Sequence, residues 1–123
     1  MKKTISTKLT IVSKGITSDS IAIDYEKVST LKTPVVESAS VDVSSNVPVN
    51  IFSTEIDQEK TFVYIKNIGI PGQNFFTVKF NNLTVAKLDI DDYIYLPIVG
   101  GIAVSLTCTT LTATAEYGYF SAI

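Results

Sequence analysis

From residue 35 to residue 120, apolar and polar positions alternate with a period of two, and turn chemistry interrupts the alternation every few residues. It is plainest where Ile102, Val104, Leu106 and Cys108 share one face and Ala103, Ser105, Thr107 and Thr109 the other. Side chains along an extended chain point alternately to opposite faces, so this spacing predicts a strand with one side in a core and one toward water. Comparable stretches run from Val35 to Val43, Val49 to Phe52, Thr61 to Lys66, Phe75 to Phe80, Thr84 to Ile90, Tyr93 to Ile98, Ile102 to Thr109 and Ala113 to Phe120. Between them lie Ser44-Ser45-Asn46, Asp57-Gln58-Glu59-Lys60, Gly69 to Asn74, Asn81-Asn82, Asp91-Asp92 and Gly100-Gly101, all of turn-forming composition. Asn81-Asn82 and Asp91-Asp92 are short enough to close hairpins, because Asn and Asp tolerate the left-handed backbone such turns require. No stretch longer than about ten residues carries helical periodicity. The expected fold is all-β, a single antiparallel β-sandwich, either jelly-roll or Ig-like.

The amino end has its own pattern. Ile5, Leu9 and Ile11 alternate with Lys8 and Thr10 over residues 4 to 12, and Lys14-Gly15 breaks the run. A second strand, Ser20 to Tyr25, groups Ile21, Ile23 and Tyr25, so the two predict a hairpin turning around Gly15 to Asp19. Leu31-Lys32-Thr33-Pro34 reads as a joint, since proline pushes Thr33 into extended geometry. The expected organisation is an N-terminal strand arm or hairpin over 1–33 and a sandwich domain over 34–123. A strand not paired within its own core has unmet backbone groups and can add to a neighbour's sheet edge; the alternative is an ordinary first strand.

Composition narrows the function. The chain has 123 residues, enough for one domain with its own core. It is 46% hydrophobic and only 18% charged, below the roughly one-quarter charged share of ordinary domains. A formal net charge of −2 provides no long-range attraction for phosphate backbones or anionic lipid, so neither nucleic acid nor a membrane is an expected partner. Met1-Lys2-Lys3 has the basic character of a secretory leader, but Lys8 and several hydroxyl residues interrupt the apolar stretch such a leader needs. No segment approaches the roughly 18 apolar residues that cross a bilayer. The chain reads as soluble and cytosolic at synthesis.

Candidate chemistry is sparse. Without histidine, histidine-dependent triads and relays are excluded. The single cysteine, Cys108, rules out an internal disulfide framework and falls on the apolar face of its strand, where an inert buried thiol is expected. Asp89, Asp91 and Asp92 crowd one turn but lack the apolar surroundings that raise a catalytic carboxyl, and their spacing is not that of an EF-hand. Gly100-Gly101 lacks the lysine and hydroxyl of a phosphate loop. No enzyme activity, cofactor or metal is expected. Tyr117, Tyr119 and Phe120 form an aromatic group near the end, and Tyr93 with Tyr95 a same-face pair, either core between sheets or exposed anchors for a partner or a sugar.

The segment Phe62-Val63-Tyr64-Ile65-Lys66-Asn67-Ile68-Gly69, with Phe76 to Phe80, Ala86-Lys87-Leu88, Tyr95-Leu96-Pro97-Ile98 and Ala115-Glu116-Tyr117, resembles auxiliary (decoration) capsid proteins of tailed bacteriophages, of the crAss-like type. The likeness covers about residues 60 to 120. It implies a non-enzymatic β-sandwich on the capsid exterior, made in the host cytoplasm and bound to the major capsid protein and neighbouring virion proteins, with self-association an option. A phage neck or tail completion protein and a carbohydrate-binding or adhesive module are the alternatives. The expected contact residues are Lys2, Lys3 and Lys8 on the arm; Asp57, Glu59, Lys60, Ile70 and Gln73 on two loops; and Tyr117 and Tyr119 near the end.

Overall fold

The structure is a computed structural model that describes residues 4–12, 22–30, 37–53, 61–99, 102–109 and 112–121. Ten strands make up its elements: β1 Thr4–Val12, β2 Ala22–Thr30, β3 Glu37–Ser44, β4 Val49–Ser53, β5 Thr61–Asn67, β6 Phe76–Phe80, β7 Leu83–Leu88, β8 Tyr93–Ile98, β9 Ala103–Thr107 and β10 Thr112–Ser121. Two four-stranded antiparallel sheets, β3-β10-β5-β8 and β4-β9-β6-β7, carry the core, and β1-β2 forms a separate two-stranded sheet.

The pairings are nested. β3 pairs with β10, β4 with β9, β5 with β8 and β6 with β7, as in one long hairpin rolled over on itself. The pairs β10·β5 and β9·β6 close the roll into two sheets. This is the jelly-roll alternative of the expected sandwich.

The core lies between the inner faces. Val63 and Ile65 of β5, Ala113 and Ala115 of β10 and Val43 of β3 meet Phe76 and Val78 of β6, Val104 and Leu106 of β9 and Leu88 of β7. Cys108 is in the same cluster and free. The alternation read from Ile102 to Thr109 holds in register: Val104 and Leu106 are fully buried, while Ala103 is exposed. Ser105 departs from it, being buried on the outer face, where a small side chain lies between its pairing partners Asn50 and Lys79.

Two expectations need correction. Asp91-Asp92 does not close a hairpin: β7 and β8 belong to different sheets, and the turn carries the chain across the sandwich. Asp91 does take the left-handed conformation, with φ 72. The corner is pinned instead to the end of β5, where Asp91 N donates to Asn67 O (2.9 Å) and Asn67 N to Asp92 O (3.0 Å). The second strand does not stop at Tyr25 but reaches Thr30, because β1 pairs with β2 along its whole length from Thr4↔Thr30 to Val12↔Ala22.

Asn81-Asn82 does close the β6–β7 hairpin, both residues having positive φ (50 and 67), as a two-residue turn that matches strand twist requires. The free edges of three outer strands are interrupted: β8 carries Pro97, and single extra residues break register in β7 at Val85 and in β4 at Ile51. Such devices discourage uncontrolled edge pairing. The expected Gly100-Gly101 turn and the Leu31 to Pro34 joint lie outside the described residues.

Candidate functional site

The outer face of the β3-β10-β5-β8 sheet carries an aromatic surface that alternation alone puts on the solvent side. Phe62 and Tyr64 of β5, Tyr93 and Tyr95 of β8 and Phe120 of β10 all point away from the core, because the residues between them point into it. Phe62 stacks on Phe120 with centroids 5.0 Å apart and on Tyr95 at 5.8 Å, with planes within 15° and 14°. Offset stacking of this kind adds about 1 kcal/mol per pair beyond burial. Phe62 and Phe120 are nonetheless buried, since the β1–β2 hairpin lies over them.

The hairpin is amphipathic across its pairing register. One face carries the rungs Ile5/Ser29, Thr7/Lys27, Leu9/Tyr25 and Ile11/Ile23. The other carries Ser6, Lys8, Thr10, Asp24 and Glu26, with Val12 and Val28; Ser6 Oγ donates to Glu26 Oε1 (3.0 Å) and Thr10 Oγ1 to Asp24 Oδ1 (3.4 Å). The first face meets the sandwich, but only near its base. Ile5 packs on Phe62 and Phe120, Ser29 is buried, Thr7 Oγ1 and Tyr95 OH share a hydrogen bond of 3.1 Å, and Lys27 Nζ lies 5.8 Å from the Phe62 ring centre.

Beyond that base the two surfaces part. They leave an open cleft of about 630 Å³ walled by Leu9 and Tyr25 on one side and Tyr64 and Tyr93 on the other. Tyr25 is 70% and Tyr93 58% exposed, and Leu9 and Ile11 are exposed as well. At the cleft wall Tyr64 OH donates to Glu116 Oε1 (3.3 Å). Burial, then the negative charge of Glu116 and the hydrogen bond to it, then Tyr93, hold the Tyr64 phenol above its ordinary value of 10.0.

The expected contact residues scatter. Lys2, Lys3, Asp57, Glu59 and Lys60 lie outside the described residues. Lys8 is exposed and contributes to the cleft, although register puts it on the hairpin's polar face opposite Glu26. Ile70 is 66% exposed at the tip of a turn in which Pro71 and Gly72 (φ 97) are the central residues and Gln73 N donates to Ile70 O. Gln73 is drawn inward: its Oε1 accepts from Ile70 N (3.1 Å) and Thr114 Oγ1 (3.2 Å). Tyr117 turns to the inner face and packs on the core, leaving little of it for a contact. Tyr119 pairs with Val63, is half-buried and reaches the cleft wall.

The Asp89-Asp92 corner is exposed, with Asp92 Oδ2 accepting from Asp89 N (3.0 Å). Among the described residues, no three acidic or cysteine side chains are grouped to hold a metal ion. Sequence reasoning left out Phe62, Tyr64 and Leu9 as contact residues. Their signal was present as alternation, which puts Phe62 and Tyr64 on one face of β5 and Ile5, Leu9 and Ile11 on one face of β1.

The fold and site therefore define an eight-stranded jelly roll with an amphipathic hairpin seated on its outer aromatic face. Neither a family model nor a curated protein matches the chain. Among solved structures it is similar to a chain from the endospore appendages of Bacillus, described as a family of disulfide-linked pili, with a TM-score of 0.50 and 14% identity over 72% of this chain and 88% of that one. At that identity the likeness is one of fold.

Proposed function

We propose that this chain is a non-enzymatic structural protein of a virion, an auxiliary protein that sits on the outside of a phage capsid shell and reinforces it. The observation that carries this reading is the hairpin, which presents Leu9, Ile11 and Tyr25 outside any core. Contiguous apolar surface of this kind on a folded domain marks an interaction site. The remainder is a compact scaffold whose described buried side-chain polar atoms are all hydrogen-bonded. Many copies on a lattice turn modest individual contacts into strong attachment, so the small area of one hairpin suffices. Binding only the assembled shell raises its resistance to disruption by mass action.

Co-sedimentation with shells from the protein's own source tests this. Saturation at a copy number that matches the lattice supports the capsid reading; a few copies per particle move the protein to the neck or tail; no binding rejects the virion reading.

A second reading, a carbohydrate-binding or adhesive module, is favoured by the ring faces of Tyr25, Tyr64 and Tyr93 around an open cleft. Glycan binding that disappears on Tyr93→Ala would select it. The similar chain comes from pili, which is in keeping with a structural subunit. Covalent linkage of the kind named for those pili is not open to this chain through Cys108, which is 1% exposed.

A further inference from the structure

We propose that the aromatic surface under the hairpin takes the β1–β2 hairpin of a second copy of this chain. The occupant is identified by what already sits there. Ile5 on Phe62 and Phe120, the Thr7–Tyr95 hydrogen bond and Lys27 beside Phe62 show which side chains of this hairpin the surface fits. One rung further along the same face, Leu9 and Tyr25 stand across the open cleft from Tyr64 and Tyr93. The rung-on-ring arrangement that is closed at the base is thus repeated and left open beyond it, with apolar side chains exposed on both walls. Every chain carries both halves of this unfinished contact.

Transfer between copies disturbs little. β1 and β2 pair with each other over nine residue pairs and share no ladder with either four-stranded sheet. The hairpin therefore leaves one surface and joins another by exchanging side-chain contacts, with no sheet hydrogen bond broken. An isolated two-stranded hairpin is marginal in water, so it gains order wherever its apolar face is covered. Residues 31–36 join it to β3, and six residues span at most about 20 Å, which bounds how far from its own sandwich an exchanged hairpin can sit. Exchange of an identical element is a low-cost route to association between like chains.

The inference extends the assembly reading, yet its test needs no shell, so either can fail without the other. Full-length chains carrying Thr7→Cys and full-length chains carrying Tyr95→Cys are mixed and treated with a short bismaleimide, Cys108 being buried. The Thr7→Cys/Tyr95→Cys double variant reports whether the hairpin seats within one chain. Thr84→Cys, exposed on the opposite sheet, replaces Tyr95→Cys as the control for random encounter.

The expected result is a cross-linked heterodimer several-fold more abundant than in the control pair. Heterodimer at the control level, with the double variant linking within single chains, overturns the exchange. Linking in neither arrangement overturns it too, because the surface then holds no hairpin at all.

Discussion

Asn67 does more for the sandwich than its place at the end of β5 suggests. It is fully buried; Nδ2 donates to Asn74 O (3.2 Å) and Leu88 O (3.0 Å), and Oδ1 accepts from Gly69 N (2.9 Å). One side chain thus ties a loop and the end of β7 to β5. Asn67→Ala leaves these backbone groups without their partner, and unfolding by denaturant should show a loss of about 3 kcal/mol. Tyr64 gives a pH dependence of determinable sign. Its folded-state phenol stays protonated above the ordinary value of 10.0, so its share of stability is fully present below that value and fades as pH rises through the folded-state one. The tyrosinate absorbance difference between the native protein and Tyr64→Phe should place this titration above 10.0, and Glu116→Gln should bring it down by removing the charge and the carboxylate acceptor.

At the scale of elements, the hairpin and the sandwich are held by different forces and should respond separately to substitution. Tyr95→Phe removes the phenolic partner of Thr7 while leaving the ring stack. Hydrogen-exchange protection in β1 and β2 should fall by about 1 kcal/mol, with β5 and β9 unchanged. Equal loss throughout would show that the hairpin is integral to one cooperative unit. The β6–β7 turn depends on backbone conformation instead. Asn82, at φ 67, costs little as asparagine, and Asn82→Ala should lower the unfolding free energy by about 1 kcal/mol. Asn81 adds a clamp to the neighbouring strand, its Oδ1 accepting from Ala103 N (2.8 Å) and its N donating to Ala103 O (2.9 Å).

For the whole molecule, the strand order keeps Cys108 sealed between sheets beside Val104 and Leu106. Alkylation should be negligible in the native protein and complete on unfolding, and any oligomer should survive reductant. Rapid native alkylation would show that the carboxyl-side half of the sandwich opens readily. Association through the hairpin should weaken when Leu9→Ser and Tyr25→Ser are combined, because these exposed side chains belong to an interface and not to the core. Their effect on thermal unfolding of the sandwich should stay within about 0.5 kcal/mol, as for ordinary surface substitutions.

Much of the fold was legible along the chain because strand alternation and turn chemistry are local properties. The predicted limits of Tyr93 to Ile98 are those of β8, and Asn81-Asn82 is the turn that two consecutive left-handed residues predict. Asp91-Asp92 shows where that legibility ends. Its composition marks a reversal of the chain, but whether the returning strand joins the same sheet depends on Asn67, more than twenty residues earlier, holding the corner. Gln73 reads as a loop contact and is instead drawn in by Thr114, while Tyr117, open in the sequence between core and exposed anchor, packs on the core. The aromatic surface could not be read as one site, because Phe62, Tyr95 and Phe120 come from three strands that only the nested pairing makes neighbours. Periodicity determined which residues face alike on each strand; the tertiary structure decided which faces meet, since burial joins surfaces that are far apart in sequence.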